Sequence, residues 1–145
     1  MPGARPPPTT TRTAPTVSDT LEIRSSEDVV RVRQRVRAVA VEAGLSLVDQ
    51  TKIVTAASEL ARNTLDYGGG GTVRVELVTA PRRGVRMCFE DQGPGIPDIA
   101  AALRDGFTTG GGLGLGLGGA KRLSSEFAID STPGQGTRVT IGRFK

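Results

Sequence analysis

The chain has no histidine and no tryptophan, only one cysteine, and aromatic residues make up just 3% of it. Without histidine there can be no Ser-His-Asp triad, no Cys-His pair and no ordinary zinc site. The single Cys88 has no partner in the chain with which to form a disulfide. So few aromatics leave the core to Val, Leu, Ile and Ala. They also argue against nucleic acid, whose binders usually combine aromatics with a dense Lys/Arg cluster. Long apolar runs are missing as well. None reaches membrane-spanning length, and the N-terminus lacks the apolar core of a signal peptide. The expectation is a reduced, cytoplasmic setting with no membrane and no nucleic acid as partner.

What the chain does have is glycine, 20 of 145 residues, and a net charge of +4. The length suits one domain able to bury a sizeable core. The mild basicity fits an acidic protein partner or a polyphosphate ligand. Residues 1–19, rich in Pro, Thr and Arg, bury too little apolar surface to order themselves. They are expected to form a disordered tail ahead of a domain spanning residues 20–145.

Leu21–Arg24 alternates like a short strand. Ser25 and Asp28 match a capping box, and Val29, Val32, Val36, Val39, Ala40 and Ala43 then recur at helical spacing until Gly44. Arg31, Arg33, Arg35 and Arg37 make the outer side of this helix basic, either as a solvated face or as a docking surface. Ser46 and Asp49 make a second box. It opens a helix to about Leu65 with Leu47, Ile53, Val54, Ala57, Leu60 and Ala61 as the buried stripe. Strands are expected near Thr72–Val78 and Val85–Glu90, joined by a turn at Pro81–Gly84. A long glycine-rich segment from Asp91 to about Gly114 precedes a helix near Gly114–Ser125. Two strands, Glu126–Ser131 and Gly136–Arg143, joined at Pro133–Gly136, close the chain.

Three motifs carry chemistry. Glu59 and Asn63 stand four apart on one helix, so they share a face. An amide oxygen suits magnesium, and a carboxylate can take the proton of an attacking hydroxyl. Alone, such a pair is usually ordinary surface. Asp91-Gln92-Gly93-Pro94-Gly95 follows a strand. Its acid can accept a hydrogen bond from an exocyclic amine such as that of adenine, and its glycines let the backbone approach a flat ring. The same residues also make a plain Asx-type turn. Gly110 to Gly119 alternates glycine with leucine, at a helix cost of about 1 kcal/mol per glycine against alanine. Backbone N–H groups wrapping phosphates would explain that cost. Gly114, Gly116 and Gly119 also fit a dinucleotide fingerprint, but no βαβ unit and no acid about twenty residues on follow them. Lys121 is followed by Arg122 rather than Ser or Thr, so this is no P-loop, and no His-Arg-Asp catalytic loop exists.

In this order, Glu-x-x-x-Asn, Asp-x-Gly-x-Gly, glycine-rich lid and Gly136-Thr137, the chain resembles the GHKL ATPase/kinase superfamily over about residues 20–145. The resemblance implies the Bergerat ATP-binding fold, an α/β (α+β) two-layer sandwich whose mixed, mostly antiparallel sheet is covered on one face by helices. It makes Glu59 catalytic and places Asn63 on Mg2+. It sets Asp91, Gly93 and Gly95 at adenine, Gly112, Gly114 and Gly116 along the triphosphate of ATP, and Thr137 in support of adenine. Lys121 or Arg122 adds positive charge near the phosphates. The bare ATP-binding domain, with no histidine to phosphorylate and no dimerisation helices, argues against a sensor histidine kinase.

Ser58–Asn63, Glu90–Asp98 and Gly112–Leu123 look closely like the switch kinases of the bacterial stressosome, the RsbT group, cousins of the anti-sigma serine kinases. Positions often His-Gly in those cousins read Asp66-Tyr67-Gly68 here, which favours the switch-kinase branch. That resemblance implies a serine/threonine kinase acting on STAS-domain proteins, with a PP2C-type phosphatase as a further partner. A nucleotide-gated interaction module with little catalysis, or an ATPase using water, is the alternative. The Pro/Thr-rich tail is not part of the resemblance.

Overall fold

A computed structural model describes residues 17–104 and 116–145 of the chain. The expected tail up to residue 16, and Gly112 and Gly114, lie outside the described residues. Strand β1 (Val17–Ile23) is followed by helices α1 (Ser26–Glu42) and α2 (Leu47–Asp66). Strands β2 (Gly71–Val78) and β3 (Gly84–Asp91), helices α3 (Ile99–Ala102) and α4 (Gly116–Arg122), and strands β4 (Glu126–Thr132) and β5 (Gly136–Phe144) complete the described chain. The five strands form one sheet in the order β1-β2-β3-β5-β4. Every pairing is antiparallel, the limiting case of the mostly antiparallel sheet expected. β1 begins at Val17, within the segment read as tail, because it pairs with β2 along its whole length, from Val17 opposite Leu77 to Ile23 opposite Gly71.

The strands alternate as half-buried strands do. Val73, Val75, Val85, Met87, Phe89, Val139 and Ile141 point to one face and are buried. Helices α1 and α2 pack on that face. α1 brings Val29, Val32, Val36 and Ala40, and α2 brings Ile53, Val54, Ala57, Leu60 and Ala61. The other face is polar, with Arg86 bonded to Glu126 at 2.9 Å and Arg138 to Glu90 at 2.8 Å. Alternation thus divides each central strand between a helix-covered core and an open ionic surface.

Both helices start where the serines stand, by different means. The Ser46 hydroxyl accepts from the Asp49 backbone N–H at 3.1 Å, a true N-cap. Ser25 makes no side-chain cap. Instead the Asp28 carboxylate accepts from the Arg24 N–H at 2.8 Å, one residue further out than a capping box requires. Asp28 is held below its ordinary pKa, chiefly by that bond. Leu47 does not join the buried stripe and is 72% exposed. It stands ten residues before Ala57, which the helical period carries about 80° away from the centre of the stripe.

Candidate functional site

A cleft of about 270 Å³ opens where the end of α2, the end of β3, helix α3, the start of α4 and β5 meet. Its apolar floor is Leu60, Phe89, Leu117 and Val139. Its polar groups are Asn63, Thr64, Asp91, Asp98 and Thr137, with the Tyr67 ring at the mouth of α2. An apolar slot with a few convergent polar groups is the usual form of a small-molecule site. Four of the sequence-derived candidates, Asn63, Asp91, Gly116 and Thr137, line it together.

Asp91 stands at the last position of β3, opposite Thr137 of β5. Its carboxylate accepts from the Gly93 N–H at 2.9 Å. Burial pushes its pKa up from the usual 3.8, while backbone N–H groups of Gly93 and Thr137 pull it down. The net rise means that desolvation outweighs these bonds. The turn after it is tied on several sides. Tyr67 donates its phenol hydrogen to the Gly95 carbonyl at 2.7 Å. The Gly134 N–H reaches the Pro94 carbonyl at 2.7 Å. The Ile96 N–H reaches the Ser131 hydroxyl at 2.8 Å, and that hydroxyl lies 2.8 Å from Thr137 Oγ1. Gly93 passes so close to Gly68 that a Cβ on it would come within 2.8 Å of the Gly68 backbone.

Glu59 sits one helical turn before Asn63 and is buried, with 4% exposure, but it is not on the cleft wall. Gly93 and Gly95 shape the turn behind Asp91 rather than line the cleft. Lys121 is exposed in the last turn of α4, away from the lining. Among the described residues, helix α4 covers Gly116–Arg122, ending before the expected Ser125, and its residues Gly116–Ala120 are all buried. One of its glycines has a packing reason: a Cβ on Gly118 would meet the Leu103 carbonyl at 2.2 Å.

Residue-type reasoning missed Tyr67, Gly68, Thr64 and Ser131. Tyr67 carried a faint signal as the only tyrosine in the chain, placed just past a helix. Ser131 carried none. Among the described residues no group of three His, Cys, Asp or Glu is placed to hold a metal. The Asn63 amide oxygen on the cleft wall is of a donor type that magnesium accepts.

The sequence profile of the histidine kinase-, DNA gyrase B- and HSP90-like ATPases matches residues 48–145. The serine/threonine-protein kinase RsbT of Bacillus subtilis is 48% identical over 120 residues, 82% of this chain and 90% of that protein. The anti-sigma F factor of Bacillus licheniformis is 31% identical over 116 residues, 75% of this chain and 79% of that protein. Among solved structures, the RsbU and RsbW domains of a Mycobacterium tuberculosis protein superpose with a TM-score of 0.61 at 24% identity. That match takes in 90% of this chain and 32% of the other, so the chain spans about a third of that protein's length.

Proposed function

This chain belongs to the histidine kinase-, DNA gyrase B- and HSP90-like ATPase family, and we propose that it works there as a switch-type protein serine/threonine kinase. In this reading it moves the γ-phosphoryl group of ATP to a Ser or Thr of a STAS-domain protein in the cytoplasm and regulates stress signalling by exchanging partners. A PP2C-type phosphatase is the further partner. The observation that carries the reading is the cleft itself, which gathers Asn63, Asp91, Gly116 and Thr137 from four separate elements.

Each residue has a task. The Asp91 carboxylate accepts from the adenine amine, and the tied Gly93–Ile96 turn gives the ring a flat backbone to lie on. Thr137 supports that end through Ser131. Asn63 holds magnesium, which neutralises charge on the phosphates. Gly116, with Gly112 and Gly114, offers backbone N–H groups to those phosphates. Glu59 takes the hydroxyl proton as the partner's oxygen bonds to the γ-phosphorus. The bond from that phosphorus to the β,γ-bridging oxygen breaks, and ADP leaves. Lys121 adds positive charge from the end of α4.

A second reading, a nucleotide-gated interaction module with little catalysis, draws on the burial of Glu59 off the cleft wall. Incubation with γ-labelled ATP, with and without a STAS-domain protein, separates the two. Label on the STAS protein is the outcome expected. Label released only as free phosphate makes the protein a plain ATPase. Tight ATP binding with neither product makes it the gated module.

A further inference from the structure

The basic row on α1 divides once it is folded. Arg31 is paired with Asp28, and Arg35 with Asp19 of β1. Arg33 and Arg37 are exposed and have no acidic partner among the described residues. They stand four apart, between two aliphatic residues left in solvent, Val30 at 44% exposure and Val41 at 56%. The order Val30, Arg33, Arg37, Val41 follows spacings of three, four and four, so the four residues form one stripe on one side of the helix. The stripe is about 16 Å long at the helical rise. Where it ends, the turn into α2 leaves Leu47 and Val48 exposed at 72% and 62%. The fold thus presents a ridge with two unmatched guanidinium groups in its middle and apolar side chains at its ends.

We propose that this ridge docks an acidic amphipathic helix of a partner protein. The segment that fits has two carboxylates four residues apart, facing Arg33 and Arg37, and an aliphatic residue about one turn beyond each of them. Helices packed side by side approach to about 8–10 Å, within reach of an Arg side chain. Arginine is enriched at protein interfaces, whose centres are more apolar than the rest of the surface. A lipid surface would instead meet a continuous apolar face, and here the charges interrupt it. A second copy of this chain does not supply the complement. The acids of α1 are Glu27, Asp28 and Glu42, those of α2 are Asp49, Glu59 and Asp66, and α3 and α4 have none, so no described helix carries two acids four apart. No residue of α1 lines the nucleotide cleft. The proposal therefore does not rest on the kinase reading.

The probe is a fluorescein-labelled, lactam-stapled helical peptide. It carries leucine, glutamate, glutamate and leucine at spacings of three, four and four, with alanine and glutamine elsewhere. The intact protein is titrated into it and anisotropy is read at low salt. We expect saturable binding that weakens with added salt and is lost when lysines replace the glutamates. The double variant R33E/R37E should weaken it about tenfold or more. R31E/R35E should stay within about twofold. Arg33 and Arg37 are exposed and line no part of the cleft, so the thermal midpoint and ATP affinity of R33E/R37E should match the parent, which separates lost docking from lost fold. Equal binding of the lysine peptide, no saturable binding, or an equal loss in R31E/R35E would overturn the proposal. So would Arg33- and Arg37-dependent binding to phosphatidylcholine vesicles containing phosphatidylglycerol that exceeds binding to the peptide.

Discussion

The two walls of the cleft are built by different means. On the sheet side, Asp91 and its turn are tied to α2 through Tyr67, to the β4–β5 hairpin through Gly134, and to β4 through Ser131. On the helix side, Asn63 owes its position to the single helix α2 and what packs on it, and Glu59 lies buried one turn earlier, off the wall. Cross-linking from several elements fixes this turn, as the flat ring of the proposed nucleotide would require. The helix instead sets Glu59 and Asn63 one turn apart, the spacing on which the proposed kinase reading relies. Under the proposed kinase reading, this contrast would separate recognition from chemistry, so that each could be damaged alone.

That separation orders the expected effects. Glu59→Ala should lower phosphotransfer by roughly 10²–10⁴-fold, the range of general acid–base groups, while ATP affinity holds. Labelled phosphate reaching the partner at the parental rate would remove Glu59 from the reaction. Asn63→Ala should abolish the magnesium dependence of ATP binding. Calorimetric titrations with and without magnesium would then coincide, and a persisting gap would sink the role given to Asn63. Asp91→Ala should weaken ATP by about 10–100-fold, the loss of a hydrogen bond to a charged acceptor, and should weaken GTP, whose ring has a carbonyl where adenine has its amine, far less. Equal losses for both nucleotides would mean that Asp91 does not read the purine. Tyr67→Phe removes only the bond to the Gly95 carbonyl and should weaken ATP by a few fold, with the turnover of bound ATP unchanged.

The smallest effect concerns pH. The Asp91 pKa is raised in the folded state, chiefly by burial. Between its unfolded value of 3.8 and its folded value, the native state holds more of this proton than the unfolded chain does. Stability from this group is thus greatest below that window and falls as pH rises through it. Asp91→Asn should melt above the parent at neutral pH, without nucleotide, and the gap should close as pH falls below the usual carboxylate value. A gap that is constant with pH would show that Asp91 carries no desolvation penalty.

Much of the fold was legible because its signals are local. The alternation in Val85–Phe89, the apolar stripe of α1, the Ser46 cap and the Pro133–Gly136 turn each depend on residues near in sequence. Legibility failed where position depends on distant contacts. Leu47 has the type of a core residue but sits off the stripe, and β1 extends back to Val17 because β2 is there to pair with it. Asn63 and Asp91 were readable as candidates from type and spacing. Tyr67 and Ser131 were not, since a phenol and a hydroxyl gain meaning only from the carbonyl or N–H they meet.

The amino-acid sequence alone determined which residue types were available for the chemistry: an acid and an amide on one helix face, an acid at a strand end, and glycines where backbone must come close. It also determined the strand and helix periods, since those follow from neighbours in the chain. Only the tertiary structure decided that Asn63, Asp91, Gly116 and Thr137 line one cleft while Glu59 lies buried beside it. Only the tertiary structure divided one row of arginines into a set paired among the described residues and a set without an acidic partner there. Both outcomes depend on packing across the sheet, where long-range contacts set the distances and spacing along the chain does not.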